Sequence, residues 1–196
     1  TKYDGNHVDI SYARIDGGTN SLYPGYLTLK TTPKTLIAGT DFNLKLKGTN
    51  SVENSDTTIT KIVFDYWRYG YYNESAVILL EDDWRKGIAI DADGKGEIRF
   101  FKSSDGTTAY ILSRSTILGN TTCDYMFRYF TKVTDIIFNN FDTSKCTSMF
   151  NMFSQCRSIK SLDVSKFNTK EVINFSQMFS ACEKLNQLIG LTSLNT

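Results

Sequence analysis

From about Asn120 onward the chain repeats itself every 26 residues, and that fixed period limits its fold more than any other feature. Met126-Phe127, Met152-Phe153 and Met178-Phe179 fall 26 apart. The same spacing relates Phe130, Cys156 and Cys182, then Val133, Ile159 and Leu185, then Ile136, Leu162 and Leu188, and finally Phe141 and Phe167. The units read as Asn120–Lys145, Cys146–Glu171 and Val172–Thr196. One such unit carries too little apolar surface to fold alone. Stacked units bury a continuous column, each coil covering its neighbour, which is the physics of a solenoid. Within a unit, Leu162-Asp163-Val164 reads as a short strand. Met152, Phe153 and Cys156, at i, i+1 and i+4, suit a short helical turn.

Residues upstream speak a different language. Residues 1–25 are rich in Gly, Asp and Asn and read as an extended arm with turns. From Tyr26 to about Ser115, short apolar runs alternate with turns. Tyr26–Lys30, Phe42–Leu46, Ile59–Tyr66, Ala76–Leu80, a hairpin of Gly87–Ile90 with Glu97–Lys102, and Thr107–Leu112 are the expected strands. Phe42, Leu44 and Leu46 alternate with Asn43, Lys45 and Lys47, the period-2 mark of a half-buried strand. The expected class is mainly β with short helices. It has three parts: the arm (1–25), a β-sandwich-like domain (26–115) and a short solenoid (116–196).

Composition narrows the function classes. Lys and Arg number 22 against 21 Asp and Glu, so the chain offers no polyanion-binding charge excess and nucleic acid is not an expected partner. No apolar run reaches the ~18 residues needed to span a bilayer, so membrane insertion is not expected either. Thr1-Lys2-Tyr3-Asp4-Gly5 lacks the features of a signal peptide. Either a signal has been removed, or Thr1 follows a trimmed initiator Met; both readings stay open.

The repeat resembles the BspA-type leucine-rich repeats of bacterial surface proteins. The likeness lies in the run Met152 to Thr169 and again in Met178-Phe179-Ser180-Ala181-Cys182-Glu183-Lys184-Leu185. It covers residues 120–196. The resemblance implies display outside the cell, adhesion, and binding of host or matrix molecules. It carries no catalytic residues, and similar repeats occur in phage-encoded surface proteins. The stretch 26–48, a strand, Pro33, an Ala38-Gly39 turn and an alternating strand, resembles the opening of bacterial immunoglobulin-like modules. The first unit departs from the pattern, with Phe130 at the Cys position and Asp135-Ile136-Ile137-Phe138 as its strand, which suits a capping coil. The last unit stops where another would begin. Either the chain is a fragment, or a partner such as a neighbouring subunit covers that coil.

Candidate chemistry is sparse. Cys123, Cys146, Cys156 and Cys182 show no CxxC spacing, and His7 is the only histidine, so no zinc site is expected. Cys156 and Cys182 share a column and could lie near disulfide distance, but buried reduced thiols fit better. Cys123 and Cys146 also fall on core positions. Asp91-Ala92-Asp93-Gly94-Lys95-Gly96-Glu97-Ile98 matches a calcium loop at Asp91 and Asp93, yet Lys95 and Lys102 occupy ligand positions; a tight hairpin turn is the better reading. Three Asn-x-Ser/Thr triplets, at Asn73, Asn120 and Asn174, match the glycosylation acceptor pattern.

Trp67, Tyr69, Tyr71 and Tyr72, with Arg68, form the densest aromatic cluster, a composition common in protein and carbohydrate interfaces. The plainer role is closure of the core. Lys160, Asp163 and Ser165 alternate outward from Leu162 and Val164 and are the candidate contacts of the solenoid. No cofactor and no catalytic set are expected, so the chain is not expected to be an enzyme. The leading expectation is an extracellular or cell-surface binding and adhesion module that recognises a protein or glycan surface. The alternative is a phage virion component such as a fibre, decoration or tail protein, whose arm would dock on a neighbouring subunit. A glycan-processing enzyme ranks third.

Overall fold

The structure is a computed structural model that describes residues 32–67 and 81–190, together with 192 and 194. The expected arm, the strands Tyr26–Lys30 and Ala76–Leu80, and Tyr69, Tyr71 and Tyr72 lie outside the described residues. The described chain is mainly β, with one α-helix, and its sheets are open rather than closed into a barrel.

The strands are β1 (Lys34–Thr35), β2 (Lys61–Tyr66), β3 (Ile88–Ala89), β4 (Ile98–Lys102), β5 (Thr108–Ser113), β6 (Ile117–Leu118), β7 (Asp135–Phe138), β8 (Ser161–Asp163) and β9 (Gln187–Ile189). Helix α1 spans Gly39–Lys47, and Glu81–Lys86 forms a 3₁₀ helix. Five strands make one mixed sheet in the order β3-β4-β5-β2-β7. The expected hairpin is present, with Ile88 opposite Phe100 and Ala89 opposite Arg99. β4 and β5 pair antiparallel; β2 lies parallel to both β5 and β7.

Side-chain alternation gives this sheet two apolar faces. Ile62, Phe64, Ile98, Phe100, Ala109 and Ile111 join the main core. Phe101 and Leu112 point the other way and pack with Trp67, Trp84 and Tyr110. On the main-core side the sheet meets α1 and the first coil: the Phe42 and Phe64 rings stack at 5.7 Å, and both meet Phe127 edge-on. The place expected for the facing sheet of a sandwich is therefore taken, among the described residues, by a helix and a coil.

Helix α1 corrects the expected strand Phe42–Leu46. Phe42 and Leu46 are i and i+4, a spacing that strand and helix patterns share. The residues buried with them are Asn43 and Lys47, not Leu44, and that is a helical face. Asp41 in the first turn and Lys45 and Lys47 in the last complement the helix dipole. Gly48 ends the helix in the left-handed conformation at φ 66°. The buried donors of Asn43 and Lys47 meet backbone carbonyls, most of them in the first coil, while Asn43 Oδ1 has no hydrogen-bond partner among the described residues. Asn43 Nδ2 donates to the carbonyls of Tyr125 and Arg128, each at 2.9 Å. Lys47 Nζ donates to Arg128 O at 2.6 Å and Val52 O at 2.8 Å.

The repeating part winds as coils whose backbones bond at a constant offset. The amides of Cys123, Tyr125, Phe127 and Tyr129 donate to the carbonyls of Ser148, Phe150, Met152 and Ser154. Those of Met149, Asn151, Phe153 and Gln155 donate to Asn174, Ser176, Met178 and Ser180. β8 and β9 pair in parallel with Leu162 beside Leu188. The columns foreseen at 26-residue spacing do stack: Phe127 on Phe153 at 5.1 Å and Phe153 on Phe179 at 5.4 Å, with nearly parallel rings. The short helical turn expected around Met152-Phe153 is instead a run of turns. Two residues per coil sit at positive φ, and they too recur at 26: Tyr125, Asn151 and Gln177, then Tyr129, Gln155 and Ala181.

Residues 32–196 cluster as one compact unit. A single apolar core runs from Leu36 through the sheet to Val172 and Met178, passing the expected boundary near residue 115 without a break. β7 belongs both to the first coil and to the sheet.

Candidate functional site

The outward face of β8 and β9 is built by period-2 alternation. Leu162 and Val164 are buried while Ser161, Asp163 and Ser165 are exposed, as the alternation expects; Lys160, which shares the parity of Leu162, precedes β8 and is exposed as well. The register sets Ser161 beside Gln187 and Asp163 beside Ile189, so two coils contribute to one outward strip, polar except for the exposed Ile189. Asp163 also has a local task. Its carboxylate accepts the Ser165 amide at 2.9 Å, and bonds from Ser165 hold its pKa below the ordinary carboxylate value. Gly190 keeps the strip close-packed: a Cβ there would lie 2.2 Å from Ser165 Cα, and φ is +81°. The lower coil ends less covered than the one above it. Phe153, Cys156, Ile159 and Leu162 are buried, whereas Phe179, Cys182, Leu185 and Leu188 are half-buried and Ile189 is exposed.

The aromatic candidates divide. Trp67 is 9% exposed; it packs on Trp84 at 5.7 Å, with the Arg114 guanidinium 4.4 Å over its ring. Its indole thus serves the smaller core on the outer side of the sheet. Arg99 lies 5.7 Å from the Trp84 ring and is tied to Gly96 O and Gly87 O. Sequence reading singled out Trp67 but not the partnership with Trp84 and Arg114, because those residues come from separate parts of the chain.

The calcium-loop candidate is a hairpin turn closed on itself. The buried Asp91 carboxylate accepts the Gly96 amide at 2.9 Å and the Glu97 amide at 3.3 Å. Oxygens of Asp91, Asp93 and Glu97 lie within 4.8 Å of one another. Lysines supply the countercharge, Lys95 to Asp93 at 3.2 Å and Lys34 to Glu97 at 2.6 Å. Bonds from Asp91 and Lys95 lower the Asp93 pKa.

Cys156 and Cys182 keep to their column, each thiol donating to a carbonyl of the preceding coil, Phe127 O at 3.0 Å and Phe153 O at 3.1 Å. Burial pushes both thiols above the ordinary value. All four cysteines, Cys123 and Cys146 included, are free thiols in the structure. Lys47 is the buried amine that sequence reading missed, having been assigned to the outer face of a strand. Burial brings its pKa down to about 8, against the opposing pull of the Cys156 thiol.

No helix among the described residues is long and apolar enough to cross a membrane. A family model described as "Mycoplasma protein of unknown function, DUF285" matches residues 114–196, the stretch that holds all three coils. No curated protein and no solved structure matches the chain.

Proposed function

We propose that the chain is a non-enzymatic, surface-displayed binding module whose C-terminal coils are a short leucine-rich-type solenoid of the BspA kind, recognising a protein or glycan surface. The observation that carries this reading is the outward strip of β8 and β9. Lys160, Ser161, Asp163, Ser165 and Gln187 stand exposed on a backbone fixed by parallel pairing and a packed column beneath. A rigid scaffold with a row of exposed polar side chains suits recognition, because few groups must be ordered on binding. The buried amine Lys47 and the thiols of Cys156 and Cys182 support the same reading, since their polar contacts are structural bonds to backbone carbonyls.

The test is binding of the full chain to immobilised matrix proteins and to a glycan array. The triple variant Lys160→Ala, Asp163→Ala, Ser165→Ala should lose at least tenfold in affinity while its thermal midpoint stays within a few degrees. Unchanged binding by the triple variant to every surface that captures the wild type would contradict the proposal. Antibody labelling of intact cells tests display at the surface, and absence of label from unbroken cells argues against it.

A further inference from the structure

Of the four cysteines, two meet. The Sγ atoms of Cys123 and Cys146 lie 2.7 Å apart in the core, both residues almost wholly buried. That is well inside the van der Waals contact of two sulfurs, and it differs from the arrangement of Cys156 and Cys182, whose thiols turn to separate carbonyls.

Backbone register explains the meeting. Parallel bridges join Leu118 to Asp142 and Thr122 to Ser148. Four steps of chain separate the first residues of these bridges and six separate the second, so the 142–148 segment carries two residues of slack. The slack brings Cys146 alongside Cys123, 23 residues earlier rather than the 26 of the repeat. Space is left for the pair by Gly119. A Cβ there would sit 2.6 Å from Cys146 Sγ and 3.2 Å from Cys123 Sγ. The first coil, irregular in its sequence, is thus built around two sulfurs.

We propose that Cys123 and Cys146 form a disulfide that clamps the first coil to the second, made when the chain folds in the presence of a small-molecule or protein disulfide. One cysteine thiolate attacks the donor disulfide, giving a mixed disulfide and releasing one donor thiol. The second thiolate attacks the protein sulfur of that mixed disulfide and releases the other donor thiol. Two protein thiols are oxidised and one donor disulfide is reduced to two thiols, so electrons balance. In the closed fold the Cys123 thiol is held well above its ordinary pKa by the Cys146 hydrogen bond and by burial, which leaves little thiolate. Exchange therefore precedes closure of the core, and the finished bond is shielded from reductants. The proposal places the folding of this chain in a non-reducing environment, and it stands whether or not the β8–β9 strip binds a ligand.

The full chain is unfolded, refolded in a buffer of reduced and oxidised glutathione, and digested after alkylation. The expected peptide map shows Cys123 linked to Cys146, with Cys156 and Cys182 alkylated. Thiol titration in guanidinium should count two free thiols per chain. Refolding in dithiothreitol in place of the glutathione buffer should give a wild type with a thermal midpoint about 10 °C lower and leave that of the Cys123→Ala, Cys146→Ala variant unmoved. Four free thiols after the same refolding, a different linkage, or a midpoint indifferent to dithiothreitol would each overturn the proposal.

Discussion

At the scale of single residues, the repeat imposes a backbone conformation that its side chains do not favour. Six non-glycine residues, two in each coil, sit in the left-handed region. Each costs about 1 kcal/mol relative to a right-handed conformation. Of the residue types at these positions, Tyr, Asn, Gln and Ala, only Asn visits this region readily, so spacing alone points to a helical turn. Ala181 is exposed and stands at φ 55°. Ala181→Gly should raise the unfolding free energy by about 0.5 kcal/mol, and Ala181→Val should lower it by about 1 kcal/mol, as read by urea denaturation. Lys47 supplies a second prediction. Its folded pKa of about 8 lies below the ordinary 10.5, so between these values the unfolded chain binds more protons and stability rises with pH. The neighbouring Arg128 charge acts in the same direction as burial. The Cys156 thiol, raised by burial, works against it, losing stability as pH climbs past the ordinary thiol value. Comparison of wild type with Lys47→Met at pH 7.5 and pH 10 isolates the lysine. The difference in urea midpoint between the two proteins should move in favour of the wild type at the higher pH.

At the scale of elements, the parts written by periodicity were legible and the parts written by tertiary contact were not. The hairpin of β3 and β4, strand β5 and strand β2 follow from runs of β-branched and aromatic residues bounded by turns. The columns of the coils follow from the 26-residue period. Helix α1 was misread because Phe42 and Leu46 satisfy both periods, and only the coil against it decides between them. Asn43 and Lys47 look like the polar side of a strand until the carbonyls of Tyr125 and Arg128 are placed opposite them. The same limit hid the parallel pairing of β2 with β7 and the meeting of Cys123 with Cys146, since a sequence states no pairing across distant segments. The outward strip of β8 was legible because alternation alone sets which side chains leave the core. Asn43→Ala removes donors from two buried-side carbonyls without introducing bulk. It should destabilise the chain by about 2 kcal/mol in chemical unfolding, well above the cost of an exposed helix substitution.

At the scale of the whole molecule, sheet and coils share one core, and the consequence is cooperativity. Both tryptophans, Trp67 and Trp84, sit on the outer face of the sheet, remote in sequence from the second coil. Phe153 lies in that coil, stacked between Phe127 and Phe179. Phe153→Ala should cost about 3 kcal/mol. It should shift the tryptophan-fluorescence transition and the far-ultraviolet circular dichroism transition to the same lower denaturant concentration. Stacking also grades the coils. The first two donate their alternate amides onward to the next coil, while the last has no following coil among the described residues. Hydrogen exchange of single amides reads this order directly. The expected result is strong protection at Tyr125, Phe127, Tyr129, Asn151, Phe153 and Gln155, and fast exchange at Gln177, Phe179 and Ala181. Uniform exchange across all three sets would contradict the stacked coils on which the fold and the outward β8–β9 strip rest.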